Sequence, residues 1–106
     1  MNLISRDELK AKIDAGDDFK LVMVLSEWAF KAKRIPGSMN IDNITEASSM
    51  LDRDDEIVIY CSDETCPSSK YAYQQLVSDG YSNVRRYAGG ISDWEDAGMP
   101  MEGDWA

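Results

Sequence analysis

The sequence predicts an α/β protein in which parallel strands are joined by helices. Two short runs of aliphatic residues, 20–25 and 56–60, are typical of buried strands. Segments with helix-capping residues lie between these runs, and Gly and Pro mark the boundaries. Because alternating strands and helices are connected by crossovers, we expect a parallel sheet with helices on both faces. We expect a single domain over residues 1–106, since a chain of this length builds one hydrophobic core.

A first helix is predicted near the N-terminus. Ser5 followed three residues later by Glu8 is typical of a capped helix start. Leu9 and Ile13 then share one helical face, and Gly16 ends the helix.

The next elements are short. A strand is predicted over residues 20–25, although so short an apolar run leaves a buried helix open as an alternative. A short helix is predicted over residues 26–31, with Ser26 as its N-terminal cap. The Ile-Pro-Gly turn at 35–37 leads into an extended segment over 38–41, and a short helix is expected over 44–51.

The second half repeats the alternation. Residues 56–60 are predicted to form a strand, and a proline in the first turn indicates a helix over 67–79. A strand over 83–87 and a final short helix over 91–98 follow. The buried side of the helix over 67–79 is expected to comprise Ala72, Leu76 and Val77.

The charge and hydropathy of the chain indicate which partners and which cellular location to expect. A net charge of −9 repels phosphate backbones, so we expect no nucleic-acid partner. The longest apolar run, 21–25, is far shorter than the roughly 20 residues that span a bilayer, so we expect no membrane association. The N-terminus lacks the features of a secretory signal, which predicts a cytoplasmic protein.

The counts of cysteine and histidine exclude several classes of catalytic and metal site. The chain has two cysteines and no histidine. The absence of histidine excludes Ser/His/Asp and Cys/His hydrolases and leaves too few soft ligands for a conventional zinc site. Two cysteines without a secretory signal indicate thiol chemistry or buried packing rather than a disulfide framework.

Cys61 stands where α/β proteins bind ligands, directly after the strand over 56–60. The loop that follows leads into a helix, so its amides and the helix N-terminus favour an anion or a thiolate. Asp63 and Glu64 would oppose a thiolate if they faced inward. From the residues alone, Cys61 is either a reactive thiol or a small packing residue, and the same alternatives apply to Cys66.

Four segments share their order and spacing with a known family. They read IPGSMNI at 35–41, IVIYC at 57–61, GYSNV at 80–84 and YAGGISDW to GMP at 87–100. In these segments the chain resembles the rhodanese-like domains. The resemblance implies a five-stranded parallel sheet flanked by helices on both faces. It also implies a catalytic Cys61 that carries a sulfane sulfur as a persulfide and passes it to a thiol acceptor.

The implied chemistry needs a thiolate and a cradle of amides for the terminal persulfide anion, and it requires no cofactor and no metal. The expected partners are a sulfane sulfur donor and a thiol acceptor, each a protein or a small molecule. The domain is expected to be a monomer or a weak dimer. The candidate substrate-binding residues around the cysteine are Ser62, Asp63, Glu64, Thr65 and Ser68.

The chain departs from the common family pattern at four positions and in the length of its loop. Met23 and Leu25 stand where members usually have Asp and Arg, and Arg34 stands where many have His. Cys66 stands where the common loop has an Arg, so an anion anchor is missing from the loop, which is also longer than usual. The use of thiosulfate therefore does not follow from the resemblance.

Cys66 permits a second reaction of a Cys61 persulfide, and its presence leaves more than one function open. It could attack a Cys61 persulfide, release sulfide and leave a disulfide, provided that the two Cα atoms approach within about 7 Å. Packing and helix capping are the other roles for Cys66. The alternative function is a non-catalytic interaction module or a thiol redox sensor. Arsenate reductases and phosphatases of the same fold have similarly long loops, but they carry an Arg where this chain has residues 68–70.

Several other side chains have simpler expected roles. Ser68 and Ser69 could donate to a bound sulfur, although serines at a helix start are usually caps. Tyr87 and Trp94 are expected in the core. Trp28 is expected at a partner surface or a pocket rim.

Arg85 and Arg86 lie on one predicted strand. Their side chains point in opposite directions, so only one of them can approach the site. We expect a solvated pair that faces acidic residues of this acidic chain.

Overall fold

The computed structural model describes all 106 residues of the chain. Four strands and five helical segments alternate along it, as the sequence predicts. They are α1 (Arg6–Asp14), β1 (Lys20–Met23), α2 (Glu27–Ala32), β2 (Met39–Asn40), a 3₁₀ helix (Ile44–Ser49), β3 (Ile57–Tyr60), α3 (Pro67–Ser78), β4 (Val84–Arg86) and α4 (Gly90–Asp96).

The strands form one parallel sheet in the order β2-β1-β3-β4. The inner pair is in register with Leu21 opposite Val58, and the outer strand β4 aligns Val84 with Ile57. All carboxyl ends of the strands therefore lie at one edge. The residues that follow β1 and β3 meet at this edge.

The expectation of five strands is wrong, because the sheet has four. Leu3 forms only an isolated parallel bridge with Arg86, at the free edge of β4. The backbone of Ile4 donates to the carbonyl of Arg86, and Arg86 donates to the carbonyl of Asn2. Ser5 then caps α1, so the N-terminal segment turns away before a strand can extend.

Helices cover both faces of the sheet, and each face has its own core. On one face, Val22 and Ile59 pack with Leu76 of α3 and Ile44 of the 3₁₀ helix. On the other face, strand residues of opposite parity pack against Leu9 of α1 and Trp94 of α4; these strand residues are Leu21, Met23, Val58 and Tyr60. The inner strands are buried on both sides, which explains their nearly continuous apolar sequences.

The predicted helix starts are observed at two serines. Ser5 accepts a hydrogen bond from the amide of Glu8, and Ser26 accepts one from the amide of Ala29. The Glu8 carboxylate binds Arg85 rather than closing a reciprocal capping box.

The short helix expected over residues 44–51 is observed as a 3₁₀ helix, Ile44–Ser49. One local prediction needs correction. Ala72 and Leu76 are buried as expected, but Val77 is exposed. The buried side of α3 follows the i, i+3, i+7 spacing that begins at Ser69, and Val77 lies one position beyond it. None of the helices is both long enough and apolar enough to cross a bilayer.

Candidate functional site

Cys61 lies directly after β3, at the carboxyl edge of the sheet, and only 1% of its surface is exposed. Its parity places the side chain on the same face as Ile57 and Ile59, which is the face covered by α3. The cysteine is therefore held between the sheet and the start of α3.

The start of α4 supports the backbone at Cys61. The amide of Ile91 donates to the carbonyl of Cys61, and the amide of Ser92 donates to the carbonyl of Ser62. Gly90 has φ +62°, and a Cβ atom at this position would collide with the carbonyl oxygen of Cys61. The second glycine of the Gly-Gly motif therefore lets α4 approach the cysteine closely.

The loop after Cys61 is shaped by one of its acidic residues. The Asp63 carboxylate accepts hydrogen bonds from the hydroxyl and the amide of Thr65, at 2.8 and 3.0 Å. These hydrogen bonds lower the pKa of Asp63 from its ordinary value, and the bond from the Thr65 hydroxyl has the larger effect. The carbonyl of Asp63 accepts from the amide of Cys66. Asp63 thus stabilises the turn, while Glu64 and Thr65 are exposed.

Three loop amides make no hydrogen bond within the chain. The amides of Ser62, Asp63 and Glu64 donate to no backbone or side-chain acceptor of the chain. Backbone amides that precede a helix commonly bind anions.

Cys61 and Cys66 form a disulfide, with their Cα atoms 6.6 Å apart. This separation meets the geometric condition for a resolving thiol. Cys66 is the N-cap residue of α3, but its side chain makes no capping hydrogen bond. The oxidised pair closes the loop at its two ends.

Ser69, rather than Ser68, is the serine beside the cysteine. Ser69 is buried, and its Oγ lies 3.6 Å from the Sγ of Cys61. Ser68 is half-buried and lines a small hollow with Val24 and Ile44.

The expectation of a solvated arginine pair holds for Arg85 and is wrong for Arg86. Arg85 binds Glu8, whereas Arg86 is only 4% exposed and donates to Ser69 Oγ at 2.8 Å. It also donates to the carbonyl of Glu64 at 3.2 Å. The sequence contained a signal for the burial of Arg86. Arg86 is two residues from Val84 on the same strand, so the two side chains point to the same face, which is buried.

An apolar groove borders the loop on the other face of the sheet. Ser62, Trp28 and Trp105 line this groove, and the two tryptophan rings stand edge to face with their centroids 5.0 Å apart. The exposure of Trp28 agrees with the expected position at a pocket rim. Met23 and Leu25, at the positions where the resemblance implied charges, also line this groove.

Arg34 lies away from Cys61, at the base of α2. Its guanidinium donates to the carbonyl of Phe30 and pairs with Glu102. The arginine thus fastens the C-terminal segment to α2. Tyr87 and Trp94 are buried in the core, as expected.

The model of the rhodanese-like domain family matches residues 5–97 of the chain. An HTH-type transcriptional regulator of Mycobacterium tuberculosis is 31% identical over 101 residues, which cover 93% of this chain and 44% of the regulator. The chain therefore spans less than half the length of this relative.

Solved structures share the fold. A rhodanese-like domain from Anabaena sp. is 25% identical with a TM-score of 0.88, covering 99% of this chain and 81% of that one. The thiosulfate sulfurtransferase of Pseudomonas aeruginosa is 23% identical with a TM-score of 0.83, covering 98% of this chain and 20% of that one. The matched family model and the shared fold define a rhodanese-like domain. The chain belongs to the rhodanese-like domain family.

Proposed function

We propose that this domain is a sulfurtransferase that carries a sulfane sulfur as a persulfide on Cys61. The observation that carries the proposal is the placement of Cys61 at the end of β3, beneath a loop whose amides at residues 62–64 are free. Backbone amides without a partner can stabilise the negative charge of a persulfide.

Sulfur transfer requires no change in the total oxidation state. The Cys61 thiolate attacks the outer sulfur of a donor R–S–SH, the donor S–S bond breaks, and R–S⁻ leaves with the bonding electrons. The new Cys61 persulfide then loses its proton. An acceptor thiolate attacks the terminal sulfur, and the Cys61 thiolate leaves.

Cys66 offers a second exit for the sulfur. Its thiolate can attack the Sγ of a Cys61 persulfide, which expels hydrosulfide and forms the Cys61–Cys66 disulfide. A dithiol reductant then exchanges with this disulfide, becomes oxidised and returns both thiols. The pairing of the two cysteines supports this resolving role.

Mass spectrometry after exposure to sulfane donors tests the proposal. The donors should include a low-molecular-weight persulfide, a polysulfide and thiosulfate. We expect the reduced wild-type chain to gain one sulfur atom and then release sulfide, with formation of the disulfide. The Cys66→Ser variant should retain the added sulfur, because the resolving thiol is absent.

The Cys61→Ser variant is the matched control, because it keeps Cys66 and therefore reports nonspecific sulfuration. If this variant gains as much sulfur as Cys66→Ser, Cys61 is not the carrier. If neither the wild type nor Cys66→Ser gains sulfur from any donor, the domain is not a sulfurtransferase.

A thiol redox sensor is the second candidate. The near-complete burial of Cys61 and its disulfide with Cys66 favour it. The regulator from Mycobacterium tuberculosis shows that a related segment occurs in a protein named for transcriptional control. A sensor would close and reopen the disulfide under oxidant and reductant without taking up sulfur or releasing sulfide. The same mass-spectrometric series separates the two functions.

A further inference from the structure

Arg86 is the only charged side chain buried in the domain. It lies on β4, at the free edge of the sheet, and shares the parity of Val84. Its side chain therefore faces the layer that contains α3 and Cys61. The strand delivers a permanent positive charge to the underside of the loop, because an arginine cannot lose its proton in a protein.

Arg86 has no carboxylate partner. None of the ion pairs of the domain includes it. Its Nε donates to Ser69 Oγ, and its Nη2 donates to the carbonyl of Glu64. A buried charge is costly unless an opposite charge compensates it. The position is therefore one where an anion would be strongly favoured.

Ser69 connects Arg86 to the sulfur. Its oxygen accepts from Arg86 at 2.8 Å and lies 3.6 Å from the Sγ of Cys61. Because the Ser69 oxygen accepts a hydrogen bond from the Arg86 N–H, the Ser69 hydroxyl can donate its own hydrogen to the sulfur. The backbone on both sides of Cys61 is held by β3 and α4, so reduction of the disulfide leaves the sulfur next to Ser69.

We propose that Arg86 is the counterion of the Cys61 sulfur anion and acts on it through the Ser69 hydroxyl. It replaces, from β4, the arginine that the loop lacks. Arg86 is a positioning residue, since it does not touch the sulfur itself. The anion is first the thiolate and then the persulfide; only the persulfide part rests on the proposed sulfur transfer.

The other charged groups around the cysteine are less able to act on it. Asp63 is bound to Thr65, and Glu64 is exposed. On α3, Lys70 is exposed.

The remaining elements carry charges that are already paired. On α4, Asp93 is held by Arg6 and by the hydroxyl of Tyr87. Directly after α2, Lys33 is paired with Glu95. Arg86 is the one charge near the sulfur that is both buried and uncompensated.

The pH dependence of Cys61 alkylation tests this inference without any sulfur donor. In a Cys66→Ser background, Cys61 is the only thiol, and its rate of reaction with iodoacetamide follows the thiolate fraction. An opposite charge within about 4 to 6 Å lowers a pKa by about 1 to 3 units, and Arg86 is separated from the sulfur by one hydroxyl group, so Arg86→Met should slow alkylation about tenfold below the thiol pKa. Ser69→Ala should shift the profile in the same direction by a smaller amount.

Two variants serve as controls. Arg85→Met removes the same formal charge from the adjacent residue, which is bound to Glu8, and should leave the alkylation profile within about twofold of the background, as expected for a screened surface charge. Arg86→Lys keeps a positive charge at the site and should restore most of the lost reactivity. A purely structural role for Arg86 would not produce this rescue in the pH profile.

Each outcome of these alkylation experiments either supports or contradicts the role of Arg86. If Arg86→Met is folded and titrates like its background, the inference is wrong. If Arg86→Met does not fold, Ser69→Ala decides: a raised thiol pKa supports the relay, and an unchanged one overturns it. A domain that takes up no sulfur can still show the shift, so failure of the proposed function is distinguishable from failure of this inference.

Discussion

At the scale of single residues, the hydroxyl of Tyr60 joins β3 to the Ile-Pro-Gly turn. It accepts from the amide of Ile35 at 3.1 Å and donates to Ser38 Oγ at 2.9 Å, while Ser38 donates to the carbonyl of Ile35. Burial raises the pKa of Tyr60, so the hydroxyl stays protonated and can donate. The residue before Cys61 is thus tied to a turn 25 positions away in sequence.

The Tyr60→Phe substitution should destabilise the domain. It leaves the buried amide of Ile35 without a partner, which costs about 1 to 3 kcal/mol. Urea unfolding measures the change. Tyr71→Phe is the matched control, because Tyr71 is exposed and its hydroxyl makes no hydrogen bond within the chain; it should change stability by less than about 0.5 kcal/mol. Equal effects of the two substitutions would contradict the role of the network.

At the scale of elements, the contact between α4 and the Cys61 loop determines the position of the cysteine backbone. Two amides at the start of α4 donate to the carbonyls of Cys61 and Ser62. The close approach requires that Gly90 has no side chain, since a Cβ atom would meet the Cys61 carbonyl and the Ser62 backbone. The Gly-Gly motif and the cysteine are therefore parts of one packing arrangement.

The Gly90→Ala substitution should displace the loop and lower stability. Alanine at positive φ costs about 1 to 2 kcal/mol, and the collision adds roughly 1 to 3 kcal/mol. Gly98→Ala isolates the first effect, because Gly98 has φ +71° and open space around it. Urea unfolding should show the larger loss for Gly90→Ala, and its amide NMR shifts should change around Cys61. A loss no larger than that of Gly98→Ala would show that the contact is unimportant.

At the scale of the whole molecule, 20 acidic residues face 11 basic ones, which leaves a net charge of −9. Several basic residues bind acids on distant segments, as in the pairs Arg6–Asp93, Lys33–Glu95 and Arg85–Glu8. Exposed ion pairs of this kind contribute little individually. The unpaired excess of acids repels itself in the folded state.

Added salt should therefore stabilise the domain. Between ionic strengths of about 0.01 M and 1 M the Debye length falls from about 30 Å to about 3 Å, which screens repulsion among the acids. We expect the thermal unfolding midpoint to rise by a few degrees with NaCl, whereas equal osmolarity of a neutral solute serves as the reference. A fall in the midpoint with NaCl would mean that the ion pairs outweigh the net repulsion.

Local signals explain why most elements could be predicted. Ser5 and Ser26 cap helices through contacts with residues three positions later, and the run of β3 is apolar because both of its faces are covered. Local signals did not reveal that the expected fifth strand is absent. Its absence depends on Ser5 starting α1 immediately after the single bridge at Leu3.

The sequence by itself determined the α/β class, the position of Cys61 at the end of a strand and the Gly-Gly motif, since each depends on residues close together in the chain. The tertiary structure alone decided that Arg86 is buried beneath the loop, that Ser69 and not Ser68 contacts the sulfur, and that Cys66 reaches Cys61. Ser69 and Arg86 are 17 residues apart and meet only because β4 pairs with β3 beside α3. Parity indicates which of two neighbouring side chains share a face, but the packing of the layers decides what that face meets.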